Sequence, residues 1–443
     1  MADLSSQAQV QSPANPMVRV FSLRDFRLLF AGTATSLLGD QFALIATPWL
    51  VLNLTKDPLA LGTVLALEGL PRAALMLFGG AITDHLSSRH VMIAASVIRL
   101  LLTATMAVVV LGGAVQLWMI YLFGVLFGTV AGLAIPAETS IVPTLVGERD
   151  LQAGNAVTMG TSQLAGFAGP TIAGILIGRF AGTYEGVGLA YAFDALTFVA
   201  VAVTLLLIRS GSRRVSAAGS PVGGATREGV VASITAGIRY LWTDPLLRFV
   251  FLVLAAVNFL LMGPLMVGIP VLASQRLPEG AAAFGLLMSA FAGGNLLGYL
   301  LAGALPGPAG PRVQWLMVVV FAAYGLVIGS LGLIPSTWID VGLLLLLGLG
   351  NGYLAVLMMT WMQNRTPKDM LGRTMSLVML AGTGLAPISQ AAAGALSKWS
   401  LDLMFAVPGV LMLLLTAWIA SRPEIRGVGA SLTNAADLDA TGS

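Results

Sequence analysis

Twelve apolar runs, each close to the length that crosses a bilayer, dominate this sequence. They lie at 26–52, 60–82, 90–112, 117–142, 153–178, 188–209, 246–272, 284–304, 313–334, 338–363, 374–397 and 402–420. About 20 consecutive apolar residues span the hydrocarbon core as a helix, and a helix satisfies its own backbone where no water can. The expected fold is therefore an all-α membrane protein with twelve transmembrane helices. Composition agrees: 57% of residues are hydrophobic and 10% charged, against about 25% charged in soluble domains. Prolines within the runs, such as Pro48, Pro71, Pro136 and Pro264, are tolerated because neighbouring helices re-satisfy the backbone. The abundant Gly and Ala suit close helix packing in lipid.

The basic residues orient the chain. With both termini inside, 17 of the 23 Lys and Arg fall on the cytoplasmic face, including Arg24, Arg27, Arg213, Arg214, Arg365 and Arg373. The outer face holds Lys56, Arg179, Arg276 and Lys398, and Arg72 and Arg99 remain within the membrane. That imbalance predicts a multi-pass protein of the inner (plasma) membrane with cytoplasmic termini. Trp49, Trp118, Trp338 and Trp399 sit near run ends, as an interfacial belt requires. Residues 1–25 form a polar tail without a signal-peptide pattern, so the first run is the insertion signal and is retained. A six-helix bundle follows over 26–209, then a linker over 210–245, a second bundle over 246–420, and a cytoplasmic tail over 421–443. The linker opens rich in Ser, Gly and Arg, then has apolar residues at helical spacing from Glu228 to Trp242. That pattern predicts an interfacial amphipathic helix.

The two halves echo each other. Gly80 and Arg89 are nine apart after run 2, and Gly303 and Arg312 nine apart after run 8. Asp25 and Arg27 precede run 1; Asp244 and Arg248 precede run 7. Gly169-Pro170 in run 5 has a counterpart in Ala386-Pro387 of run 11. These matches argue for a duplicated bundle, the plan of transporters with parallel halves.

Between runs 2 and 3 lies a tight loop with Gly80, Asp84 and Arg89. The glycine allows close approach, and Asp84 is placed to cap the next helix. This stretch resembles the signature loop between helices 2 and 3 of the major facilitator superfamily, roughly G-x-L-x-D-R-x-G-R-[RK]. His85, Ser87 and Ser88 depart from that pattern and remove part of its basic charge. Gly169, Pro170 and Gly174, with Ala165 and Ala173 in place of two glycines, resemble the superfamily's exporter-associated motif in helix 5. Physically the motif is a close crossing with a bend, because Gly removes bulk and Pro removes a backbone bond. Ser36 to Asp40, Gly69 to Arg72, Arg99-Leu-Leu, Glu148 to Asn155, Asp194 to Phe198 and Leu371 to Ser376 are similar to one branch. That branch is the bacterial drug and metabolite exporters related to the enterobactin exporter and macrolide efflux proteins. The resemblance implies proton-coupled export of a drug or secondary metabolite. Asp84 is expected to stabilise the inward-closed, outward-open arrangement by capping run 3 and contacting the second half near run 11.

Ionisable groups deep in a bilayer are expensive and mark function or a partner. Asp40, Glu68, Arg72 and Arg99 all fall in a central slab. Glu68 and Arg72 share a helix face at i, i+4. They constitute either a static ion-pair network or a proton-coupling site, with Asp40 the primary carrier because its own helix offers no acid–base partner. The second half has no deep charge and offers Asn258, Asn295, Asn351 and Gln390 as polar substrate contacts, with Asn258 near the position equivalent to Asp40. Asp194, about 9 Å into run 6 from outside, is either a solvated mouth residue or a ligand. Glu138, near the cytoplasmic end of run 4, is accounted for by snorkelling. The 19 methionines could line an adaptable pocket or simply fill the core.

No phosphate-binding loop, metal-ligand cluster or nucleophile triad can be assembled. The two histidines, His85 and His90, lie in or beside one loop, and there is no cysteine. The bases are not clustered as a nucleic-acid binder needs. The expectation is a monomeric secondary transporter, not an enzyme and without a cofactor. Its partners are the bilayer, protons and a small amphipathic organic substrate. A proton-coupled importer is the alternative reading, and an intramembrane enzyme the alternative from another class.

Overall fold

A computed structural model describes residues 16–425 except 86, 148–149, 209–234, 236–237, 306–307, 309–310 and 368–369; the side chains of 77–85, 311, 372, 373, 376 and 380 also lie outside it. Every described element is a helix. A short α1 (Pro16–Ser22) precedes α2 (Arg24–Thr55), α3 (Pro58–His85), α4 (Ser88–Leu111), α5 (Leu117–Leu145), α6 (Leu151–Arg179) and α7 (Glu185–Leu207). The second half holds α8 (Pro245–Gly263), α9 (Ile269–Gln275), α10 (Ala281–Ala304), α11 (Pro311–Ser330), α12 (Thr337–Arg365), α13 (Leu371–Gly384), α14 (Ala386–Trp399) and α15 (Leu401–Ser421).

Eleven segments among the described residues are long and apolar enough to cross a membrane, counting Pro245–Gln275 as one and carrying Leu377–Trp399 across a break. The twelfth is α6, with 29 residues. Its first half is diluted by Gln152, Asn155, Thr158, Thr161, Ser162 and Gln163. Hydroxyls in the helices donate back one turn, as Thr63 does to Leu59, Thr129 to Val125 and Thr161 to Val157, so they cost little in lipid. Leu101, Val108 and Leu196 present their side chains outward, as a lipid-facing surface does.

Runs 7 and 11 are not single straight helices. Between α8 and α9 a π turn spans Pro264–Gly268, because Pro264 has no N–H to continue the ladder. The Ser389 hydroxyl enters the gap, accepting from the Gly263 N–H at 2.8 Å and donating to the Phe259 carbonyl at 2.5 Å. Run 11 breaks at Leu385, between α13 and α14 and two residues before Pro387. Pro170, by contrast, sits inside an unbroken α6.

The same neighbour pattern recurs in both halves. α3 packs on α5 as α10 does on α12, α4 on α7 as α11 on α15, and α2 on α6 as α8 on α14. Glycine permits the closest pairs. A Cβ at Gly132 would lie 2.6 Å from the Arg72 carbonyl oxygen, and one at Gly128 would run into that of Glu68. Gly348 and Gly352 play the same part against Phe291 and Asn295.

The halves meet through α6 with α10 and α3 with α14. Their closest approaches cluster at one end, opposite the termini. There Gly174 faces Ala281 and Gly285, and Thr171 bonds the Ser289 hydroxyl through its N–H at 3.0 Å and its hydroxyl at 2.8 Å. Gly62 faces Gln390 and Gly394, Gly69 faces Pro387, and Lys398 Nζ lies 3.6 Å from an Asp57 carboxylate oxygen. The Trp49 indole covers Gly280, which has φ +56° and whose Cβ would sit 3.1 Å away. Trp49 is thus a contact between the halves; Trp118, Trp338 and Trp399 are the exposed tryptophans of the expected belt. Toward the terminus end, Met159, Gly160 and Leu164 of α6 stay exposed.

Candidate functional site

Asp40 lies 16 residues into α2, about 24 Å along it at 1.5 Å per residue. It lines a cavity of about 280 Å³ walled by α2, α4, α5, α6 and α7. Arg99 and Glu138 share that wall, and Arg99 Nη1 bonds Glu138 Oε1 at 3.1 Å. The guanidinium is also held against two rings, 5.7 Å from the Phe127 centroid and 5.8 Å from that of Phe198. Cation–π contact at such range orients a cation without neutralising it. Ser96, Thr139, Thr158 and Ser162 add hydroxyls, and Phe30, Met92, Met159 and Phe198 add apolar surface. This wall can receive an amphipathic molecule, and it holds two carboxyl groups for one guanidinium.

Glu138 is therefore more than a snorkelling side chain. Its pairing with Arg99 crosses 39 residues of sequence, a distance over which spacing alone carries no signal. Of the four coupling candidates, Asp40 and Arg99 come together on the cavity. Glu68 and Arg72 instead pair with each other one turn apart on α3, where Arg72 remains half-exposed and its Nε has no hydrogen-bond partner.

Asp194 is not a solvated mouth residue. α7 starts at Glu185 rather than 188, which puts Asp194 about 14 Å inside. It is fully buried, and neither carboxyl oxygen has a hydrogen-bond partner. It faces α2 at Gly39, where a Cβ would lie 2.6 Å from Asp194 Oδ1. The second-half amides also find partners of their own. Asn351 Nδ2 donates to Asn295 Oδ1 at 2.7 Å, and Asn295 Nδ2 to the Phe291 carbonyl at 3.0 Å, tying α10 to α12. Asn258 Nδ2 donates to Leu254 one turn back, and Gln390 sits at the crossing of α14 with Gly62. None of these four lines the cavity.

In the signature stretch, residues 80–85 continue α3 and the N-cap of α4 is Ser87. Asp84 therefore belongs to the last turn of α3 and does not occupy the cap. The side chains of Gly80 and Asp84 lie outside the described residues, and so does any contact of Asp84 with the second half. Arg89 closes the opposite helix end, its Nε and Nη2 donating to the Leu205 and Leu206 carbonyls at 2.8 and 3.0 Å. A cation on the last carbonyls of a helix suits both the orphan acceptors and the dipole. Most of the predicted linker helix over 228–242 also falls outside the described residues. In α6 the motif glycines divide their work. Gly169 abuts Gln41 of α2, its Cβ position 2.6 Å from that side chain, and Gly174 meets the α10 backbone.

Membrane-crossing helices in two alike halves, closed on each other at one end, with ionisable groups on a mid-depth cavity, define a multi-pass membrane transporter. A family profile described as transmembrane secretion effector matches residues 16–438. The chain belongs to that family, a member of the major facilitator superfamily. It is similar to the enterobactin exporter EntS of Escherichia coli O139:H28 (strain E24377A / ETEC), 28% identical over 354 residues that cover 79% of each chain. EntS of Escherichia fergusonii matches equally. Among solved structures, the nucleoside transporter NupG superposes with a TM-score of 0.67 at 12% identity, covering 89% of this chain and 98% of its own. A bacterial homologue of the iron transporter ferroportin gives 0.62 at 18% identity, covering 90% and 99%. At such identities these two likenesses concern the fold alone.

Proposed function

We propose that this protein exports a small amphipathic organic molecule, a drug or secondary metabolite of the siderophore or macrolide kind, by proton antiport. The observation that carries the reading is Asp40 on a largely apolar cavity shared with the Arg99–Glu138 pair. A carboxylate stays charged beside a guanidinium and water and is neutral once both are withdrawn. Rocking of the halves would change both surroundings at once, so that taking up a proton and releasing cargo exclude each other. Similarity to enterobactin exporters supports the outward direction. The Lys and Arg distribution supports cytoplasmic termini, which makes the arrangement described here closed outside and open inside. The chain acts as a monomer in the bilayer, without a cofactor, on the energy of the proton gradient.

A growth-inhibition screen in an efflux-deficient host, followed by transport of the protected compound in inverted and right-side-out vesicles, tests this. Gradient-driven accumulation in inverted vesicles is the expected result. Accumulation in right-side-out vesicles alone would establish an importer instead.

A further inference from the structure

The contact between α2 and α7 contains a file of buried polar groups that the cavity does not use. Thr197, Asp194 and Tyr191 follow one another at three-residue intervals on α7, all at most 1% exposed. Side chains three apart on a helix share a face, and this face packs on α2. Thr197 and Asp194 meet Gly39, the residue before Asp40. Tyr191 meets Thr47, the two hydroxyls 2.8 Å apart and both buried. Along α2, Thr47 lies about 11 Å beyond Asp40 toward the closed end. On α7, Phe198 lines the cavity and Asp194 stands one turn deeper. The file thus begins where the cavity ends and runs toward the opposite face.

Asp194 is the unexplained member. The Thr197 hydroxyl donates to the Asp194 backbone carbonyl rather than to its carboxyl group. The charged groups that face Asp194 are Asp40 on α2, which repels a negative charge, and Arg99 on α4, which attracts it but is engaged with Glu138. An ionised carboxylate buried without a hydrogen-bond partner from the protein, next to a second acid, is costly. A purely structural role would be filled better by an apolar residue, since buried polar groups in a membrane carry a cost that packing alone does not repay. Gly39 is what lets Asp194 reach the backbone beside Asp40, because a Cβ there would occupy the position of the Thr197 hydroxyl and crowd Asp194 Oδ1.

Building on the antiport reading above, we propose that the α2–α7 contact is the proton route between Asp40 and the outer face. Asp194 is its proton-holding residue, and the Tyr191–Thr47 hydroxyl pair the next station. In the arrangement described, Asp194 carries a proton. A small sliding of α7 on the smooth surface at Gly39 brings that proton to Asp40, and a proton from the far side returns through Tyr191. No bond other than O–H is made or broken: transfer to Asp40 leaves Asp40 neutral and Asp194 charged, and Tyr191 then gives its hydroxyl proton to Asp194 as it takes one from Thr47, so both hydroxyls end neutral.

Infrared spectra of the full chain in nanodiscs at neutral pH, in H2O and D2O, test the first half. Wild type is expected to show a protonated-carboxyl C=O band that Asp194→Asn removes and Asp40→Asn leaves in place. If Asp194→Asn removes no such band, Asp194 is ionised and the proposal falls. In proteoliposomes carrying a compound found by the growth screen, Asp194→Asn should lower gradient-driven transport by about 100-fold while cargo binding is unchanged. Tyr191→Phe, which keeps the ring and the fold, should slow deuterium exchange of the Asp194 band. Normal transport and proton stoichiometry in Asp194→Asn, or unaltered exchange in Tyr191→Phe, would overturn the route. If wild type moves cargo without protons, antiport itself fails and the route with it. A surviving Asp194 band would then mark a proton held for structure alone.

Discussion

Replacing Gly174 with alanine should release the closed end of the transporter without touching its cavity. A Cβ there would lie 2.5 Å from the Ala281 carbonyl oxygen and 3.0 Å from the Gly285 Cα, where ordinary contact begins near 3.4 Å. Both obstacles are backbone, so no side chain can swing aside, and the crossing of α6 with α10 must widen by roughly 0.9 Å. Overpacking of this kind costs about 1–3 kcal/mol. The cost is confined to the state that makes the crossing, because α6 and α10 belong to different halves. The equilibrium should therefore shift by about 5- to 150-fold toward the state open at this end. The chain has no cysteine, so cysteines introduced at Ala114, in the loop after α4, and Gln275, the last residue of α9, both exposed and in opposite halves, give a clean spin-label pair. Gly174→Ala should move the distance distribution to longer values. Gly178→Ala, whose Cβ would meet Ala282 at an ordinary 3.5 Å, should not. An unchanged distribution in Gly174→Ala would refute the claim that this crossing holds the closed end shut.

Two further outcomes follow from local chemistry. Ser389→Ala leaves the Gly263 N–H and Phe259 carbonyl without the hydroxyl that joins them; thermal unfolding in detergent should show a loss of about 1–3 kcal/mol, and an unchanged Tm would mean the π turn repairs itself. Asp244 caps α8 and pairs with Arg365 at 2.9 Å. Burial pushes its carboxyl up, but the Arg365 hydrogen bond and the Leu247 and Leu246 N–H groups outweigh that and hold it below the usual range. Its stabilising contribution is then complete above the unfolded-state value of about 3.9 and is lost as pH falls through the lower folded value. Asp244→Asn should flatten acid unfolding in that window, and identical acid profiles would contradict it.

What the sequence discloses here is set by which interactions are local. Run length, basic-residue asymmetry and the six-and-six division depend on neighbours in the chain or on the bilayer itself, and Arg24–Thr55 or Leu117–Leu145 are written plainly in them. Run 5 was legible although its first half is polar, because Gly169, Pro170 and Gly174 marked it. The site was legible only in part. Asp40 and Arg99 stood out as charges at depth, but the Arg99–Glu138 pair depends on how α4 meets α5. The burial of Asp194 depends on Gly39 in another helix, and a start for run 6 set three residues late made the residue look shallow. Asn295 and Asn351 resembled free cavity amides because nothing in their spacing shows that they bond each other. Asp84 resembled a cap because the apolar pattern stops before the helix does.

Proton coupling through Asp40 is the central claim, and gradient-driven transport by Asp40→Asn in proteoliposomes tests it most directly. With a compound from the growth screen and an imposed pH difference, the variant should bind cargo and exchange it across the membrane, yet fail to accumulate it against its gradient. Accumulation equal to wild type would contradict the account.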